Sequence, residues 1–135
     1  VNYERFSNPL TEKYPLAGAR VDGRIVGSDV PNTSSIGASL DSYEVLRGIR
    51  EVPLSAFTQL GPLRPRYSVS EERRTKDLTE DIRWSGRVDP LIVVEDAEGP
   101  YVLEGGHRFD ALRRLGARAL PALVVLDLES LAGAA

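Results

Sequence analysis

A length of 135 residues suits a single domain, and 41% hydrophobic with 27% charged residues is an ordinary globular composition, which excludes a fibre or a wholly disordered chain. Cysteine is absent, so disulfides and thiolate chemistry are excluded, and a single histidine disfavours an all-protein zinc site, since only carboxylates remain to join His107. The net charge of −3 is uneven, with 8 Lys+Arg against 7 Asp+Glu in residues 1–66 and 9 against 13 in residues 67–135, which disfavours bulk affinity for nucleic acid.

Residues 1–40 hold Pro9, Pro15, Pro31 and the polar run Asn32-Thr-Ser-Ser35 with little periodicity, and read as loop or accessory structure. Within them Asp22–Gly27 suits a short strand or a turn, and Leu40–Leu46 suits a helical turn. Arg50–Phe57 reads as a strand with Val52, Leu54 and Phe57 inward, Pro53 marking its start or an edge. Gly61-Pro-Leu-Arg-Pro-Arg66 has two prolines, so it predicts an extended loop that projects Arg64 and Arg66.

Ser68 or Ser70 followed by Glu71 and Glu72, then Leu78 and Ile82 at helical spacing, predicts a capped helix over 69–85 that Gly86 ends. Val88–Val94 is an apolar strand, Asp96–Gly99 a hairpin turn and Pro100–Leu103 the returning strand. A helix over about 106–115 follows, with Phe109, Leu112 and Leu115 on one face and Arg113, Arg114 and Arg118 largely on the other, closed by Gly116. Ala119–Leu126 is a final buried strand, and Asp127–Leu131 suits a short terminal helix.

The chemistry concentrates in Tyr101-Val-Leu-Glu-Gly-Gly-His-Arg-Phe-Asp-Ala-Leu-Arg-Arg-Leu-Gly116, where a strand passes through paired glycines into a helix. A helix N-terminus offers backbone N–H donors and a positive dipole end, and His107 and Arg108 in its first turn add side-chain donors, so the segment suits a phosphate or another oxyanion. Gly105 and Gly106 would let a backbone approach such a ligand, and Arg108 would be able to pair bidentately with phosphate oxygens. The bland alternatives are a capping histidine, an Arg108 ion pair with Asp110 or Glu104, and a Glu104 that only caps the turn.

From Glu51 to about Leu126 the order of elements resembles the ParB/sulfiredoxin superfamily, often labelled the ParB-like nuclease domain. Glu51-Val-Pro-Leu-Ser resembles its entry strand, Arg64-Pro-Arg66 the following segment, and Leu78-Thr-Glu-Asp-Ile-Arg-Trp-Ser-Gly86 the helix before a strand like Pro90-Leu-Ile-Val-Val. Glu104-Gly-Gly-His-Arg108 resembles the family's Asp-Gly-His-His-Arg or Gly-Glu-Arg-Arg box. The resemblance implies an α/β (α+β) fold, a small mixed sheet with packed helices, divided into an N-terminal extension (1–50), the ParB/sulfiredoxin-like domain (51–126) and a C-terminal tail (127–135).

It also implies nucleotide phosphate at the helix after the box. Gly105, Gly106, His107, Arg108, Arg64 and Arg66 are then the binding residues, His107 and Glu104 the catalytic ones, and Glu104 the Mg2+ ligand beside ATP or CTP. Sulfiredoxin chemistry is absent, because Gly106 stands where that branch has its cysteine. Three functions stay open: a phosphotransferase or nucleoside triphosphatase, a nuclease acting on DNA or RNA as an effector or toxin, and a non-catalytic module switched by nucleotide. The chain is expected to be cytoplasmic with no membrane partner, and residues 1–50 are where a protein partner would bind. Val1 in place of Met suits a fragment or a processed product.

Overall fold

A computed structural model describes residues 13–17, 26–27, 43–57 and 69–133. Its architecture is α/β. The strands are β1 (Val26–Gly27), β2 (Tyr43–Val45), β3 (Arg50–Pro53), β4 (Arg87–Val88), β5 (Leu91–Asp96), β6 (Gly99–Glu104) and β7 (Ala119–Asp127), and the α-helices are α1 (Val69–Ser85), α2 (Gly106–Arg114) and α3 (Leu128–Gly133). A 3-10 turn over Leu54–Ala56 follows β3.

β7 is the axis of a five-stranded mixed sheet. β5 runs parallel to it in the register Leu91↔Ala122 to Glu95↔Leu126, and β6 folds back antiparallel on β5. On its other side β7 takes two short antiparallel strands in succession, β3 against Ala119–Ala122 and β2 against Val125–Asp127. Two parallel strands cannot be joined by a tight turn, so the β6 hairpin and α2 together form the crossover from β5 to β7.

Side chains alternate across the sheet with period two. Val52, Leu91, Val93, Leu120, Ala122, Val124 and Leu126 face the core that receives Ile82 of α1 and Ala111 and Leu112 of α2, while Val45, Ile92, Val94, Leu123 and Val125 are buried on the opposite face. Burial on both faces explains why β5 and β7 read as nearly unbroken apolar runs. α1 ends where Gly86 adopts φ 69° and donates its N–H to the Ile82 carbonyl at 2.9 Å.

Several expectations change. Tyr43–Val45 is a strand rather than a helical turn, because β7 extends past β3 and leaves backbone groups to be paired there. Pro53 closes β3 instead of opening it, on a strand that pairs with β7 alone among the named strands as the edge alternative expects, and the chain then turns through Leu54–Ala56 rather than continuing as a strand to Phe57. The expected 88–94 strand divides at Asp89-Pro90, with β4 paired in parallel to β1 and β5 in the main sheet. Of the Asp22–Gly27 segment, only β1 is among the described residues.

The boundary expected after residue 50 falls inside β3, where Arg50 and Glu51 pair with Ala122 and Pro121 of β7. Further upstream, the Glu51 N–H donates to the Pro15 carbonyl at 2.7 Å and the Ala17 N–H to the Ile49 carbonyl at 2.9 Å. Tyr14 is buried in the core, its hydroxyl 2.5 Å from Oε1 of the buried Glu95, which also pairs with Lys13 Nζ at 3.0 Å. Past residue 127, Leu128 and Leu131 of α3 pack against the same core.

Candidate functional site

β6 reaches the site through a register irregularity. Val93 pairs with Val102 but Ile92 pairs with Glu104, so the strand kinks as it delivers Glu104 to its end. Gly105 then turns the chain at φ 108° and ψ 28°, in the left-handed region. A Cβ there would lie 2.7 Å from Leu91 Cγ, so glycine is required by the close approach of β5 as well as by the backbone angle.

α2 begins at Gly106, and its first internal hydrogen bond runs from the Phe109 N–H to the Gly105 carbonyl at 2.9 Å. Among the described residues no side chain caps it, and no acidic residue stands in its first turn. Its N-terminal end therefore keeps its positive electrostatic character with no carboxylate of its own turn against it. The C-terminal end is closed conventionally, with Gly116 at φ 74°, the Ala117 N–H on the Leu112 carbonyl at 3.0 Å, and Arg113 and Arg114 in the last turn.

His107 and Arg108 tie this first turn to the rest of the fold. His107 Nδ1 lies 2.8 Å from Oγ1 of Thr75, a fully buried side chain on α1. Arg108 Nη1 donates to the carbonyls of Asp89, at 3.2 Å, and Pro90, at 3.0 Å, in the segment that leads into β5. No acid pairs with Arg108 among the described residues, and its Nε and Nη2 have no hydrogen-bond acceptor there. Asp110 pairs instead with Arg113, at 3.3 Å, and Glu72 of α1 with Arg114, at 2.6 Å. Phe109 packs edge-on against Phe57 with ring centroids 5.1 Å apart, anchoring the turn to the segment after β3.

Glu104, Gly105, Gly106, His107 and Arg108 are thus brought together at one end of the sheet, beside Thr75 and the Asp89-Pro90 carbonyls. Arg64 and Arg66 lie outside the described residues. Among the described residues no group of three or more His, Asp or Glu side chains is arranged to hold a metal ion. Sequence reasoning missed Thr75. Its signal was a threonine pair, Thr75 and Thr79, on the same helical face as Leu78 and Ile82, where an apolar residue is the usual occupant.

The model of the ParB N-terminal domain family matches residues 38–134. The chromosome-partitioning protein ParB of Myxococcus xanthus is 27% identical over 105 residues, covering 78% of this chain but 35% of that protein, so the chain spans about a third of this relative's length. Among solved structures, sulfiredoxin from Arabidopsis thaliana is 28% identical with a TM-score of 0.48, covering 56% of this chain and 82% of its own. The C-terminally truncated ParB of Caulobacter crescentus, solved in complex with CTP-gamma-S, is 31% identical with a TM-score of 0.47, covering 57% of this chain and 43% of its own. No helix among the described residues is long and apolar enough to cross a membrane. By the extent of the family match, this chain belongs to the ParB N-terminal domain family.

Proposed function

We propose that the chain is a nucleotide-binding domain that seats the phosphates of a nucleoside triphosphate on the N-terminus of α2. The observation that carries this reading is the glycine-capped start of α2, with no side-chain cap and no acid in its first turn, beside an Arg108 whose Nε and Nη2 have no acceptor among the described residues. Backbone N–H groups and the helix dipole favour a phosphate there, and a guanidinium adds charge-assisted hydrogen bonds. His107 stands in the same turn, with its Nδ1 held against Thr75.

Mg2+ would arrive with the nucleotide. It commonly takes one or two carboxylates together with phosphate oxygens and water, so Glu104 suffices as the protein's share without a preformed cluster. The ion would supply charge neutralisation between phosphate oxygens; Glu104 would hold it, Arg108 would orient the phosphate, and His107 would donate to it. Phosphoryl transfer to an acceptor or to water is the finer reading, resting on the same placement, since such reactions depend chiefly on positioning and electrostatic stabilisation.

Calorimetric titration with CTP and ATP, each with and without Mg2+, tests the reading. The expected result is binding of at least one triphosphate, weakened about tenfold or more in His107→Ala and in Arg108→Lys, because each loses a hydrogen bond to a charged group. Absence of binding by the intact chain would overturn it. Release of inorganic phosphate adds hydrolysis, labelled acceptor adds transfer, and binding without turnover leaves a nucleotide-switched module.

A further inference from the structure

α1 directs two buried threonine hydroxyls into its packed face, and they behave differently. Thr79 donates to the Thr75 carbonyl at 2.7 Å, the usual recourse of a threonine inside a helix. Thr75 has the equivalent option toward the carbonyl four residues before it. Its Oγ1 lies instead 2.8 Å from His107 Nδ1, and that is its one hydrogen-bond partner among the described residues.

Thr75 is 0% exposed, so no bulk water reaches the hydroxyl. A neutral imidazole carries its proton on one nitrogen and accepts on the other. If Nδ1 held the proton, Thr75 would accept it, and the threonine's own O–H would be left buried without an acceptor, the arrangement that folded proteins avoid. If Nδ1 is bare, the threonine donates to it and its buried hydroxyl is satisfied.

We infer that Thr75 donates to His107 Nδ1 and so holds the neutral ring in the tautomer with its proton on Nε2, making Thr75 the positioning residue of the site. The assignment has a chemical consequence. In that tautomer Nε2 offers a hydrogen bond and accepts none, so the neutral ring serves as a donor at Nε2. A phosphate oxygen is always an acceptor, and a ring locked as an Nε2–H donor is matched to it without reorganisation. This second step rests on the phosphate reading above; the tautomer does not.

His107 is the only histidine in the chain, so its ring nitrogens report without ambiguity in 15N-labelled protein. Long-range 1H–15N correlation of the ligand-free protein, at a pH where the ring is neutral, is expected to show Nε2 as the protonated nitrogen and Nδ1 as the bare one. Thr75→Val keeps the shape and removes the hydroxyl, and is expected to release the ring into a mixture of tautomers. Thr75→Ser restores the donor and is expected to restore the single tautomer. In titrations with CTP and Mg2+, Thr75→Val is expected to bind about five- to tenfold more weakly, with Thr75→Ser recovering most of the loss.

Wild-type protein with the proton on Nδ1 overturns the assignment, as does a Thr75→Val ring indistinguishable from wild type. A Thr75→Val protein that changes tautomer but keeps full affinity overturns the positioning role alone. Wild-type protein that shows the Nε2–H tautomer and binds no triphosphate refutes the nucleotide reading while upholding the Thr75–His107 bond.

Discussion

Gly105 is the most constrained position of the site, and three glycines allow its two constraints to be separated. Gly105, Gly48 and Gly116 all have positive φ, at 108°, 76° and 74°. A Cβ on Gly116 meets nothing within 4 Å, so Gly116→Ala carries only the backbone cost of about 1–2 kcal/mol. A Cβ on Gly48 would lie 2.7 Å from Leu16 Cδ2, but that atom is the tip of a side chain 62% exposed, which swings away. At Gly105 the obstacle at 2.7 Å is the branch carbon of Leu91, a fully buried residue of β5. Overpacking of about 1–3 kcal/mol then adds to a backbone cost of about 1–3 kcal/mol, giving a loss of about 2–6 kcal/mol for Gly105→Ala.

Urea unfolding followed by far-UV circular dichroism measures the series. Trp84, the single tryptophan, is 84% exposed and its emission is a poor reporter of the core. The expected order of destabilisation is Gly105→Ala well above Gly48→Ala, with Gly116→Ala close to the latter. For a chain of this length each kcal/mol lowers the melting temperature by about 3–4 °C. A Gly105→Ala protein within about 1 kcal/mol of Gly116→Ala would refute the packing argument, because the two would then differ by no more than the scatter among single mutations.

Two more predictions concern residues that the fold shares with polar contacts. Arg108→Ala removes both hydrogen bonds to the Asp89 and Pro90 carbonyls, so it is expected to lose about 1–3 kcal/mol of stability without any nucleotide present; an unchanged urea midpoint would show that those bonds contribute nothing. Tyr14 is protected from ionising by burial first and by the Glu95 carboxylate second, which push its hydroxyl far above the ordinary value of about 10. The unfolded chain therefore releases this proton above about pH 10 while the folded chain keeps it, so stability is full below that pH and falls by up to about 1.4 kcal/mol per pH unit above it. Tyr14→Phe is expected to remove that share of the alkaline slope, measured from denaturation midpoints between neutral pH and pH 11, and an identical slope in both proteins would refute it.

What the sequence conveyed follows from where each determinant lies. The bounds of α1 rest on local chemistry, the polar start and Gly86, so they could be read from one stretch of chain. The glycine turn into α2 was equally visible, although the demand that Leu91 places on Gly105 was not. Leu40, Tyr43 and Leu46 have helical spacing, yet Tyr43–Val45 forms a strand because its partner β7 lies some 80 residues downstream, where no local pattern can register it. Thr75 meets His107 across 32 residues and Tyr14 meets Glu95 across 81, and each is a polar residue whose role depends on a partner supplied by the fold.

The same geometry changes how mutants of the box must be read. His107 and Arg108 stood out in the sequence as ligand donors, but each already holds a neighbouring element, α1 through Thr75 and the entry to β5 through two carbonyls. A truncation at either position removes a ligand contact and a tertiary contact together, so lost binding alone does not identify a binding residue. The two effects separate by linkage. A ligand that binds only the folded state at 100 times its Kd stabilises it by about 2.7 kcal/mol. A variant that has lost only tertiary contacts starts less stable and still gains that increment at saturation, whereas one that has lost the ligand contact gains less at the same concentration. For Arg108 both changes are expected together, since Nη1 serves the fold and Nε and Nη2 are the groups left to a phosphate. For Thr75→Val the gain should shrink with the change of tautomer, because the ring it releases no longer presents a fixed donor.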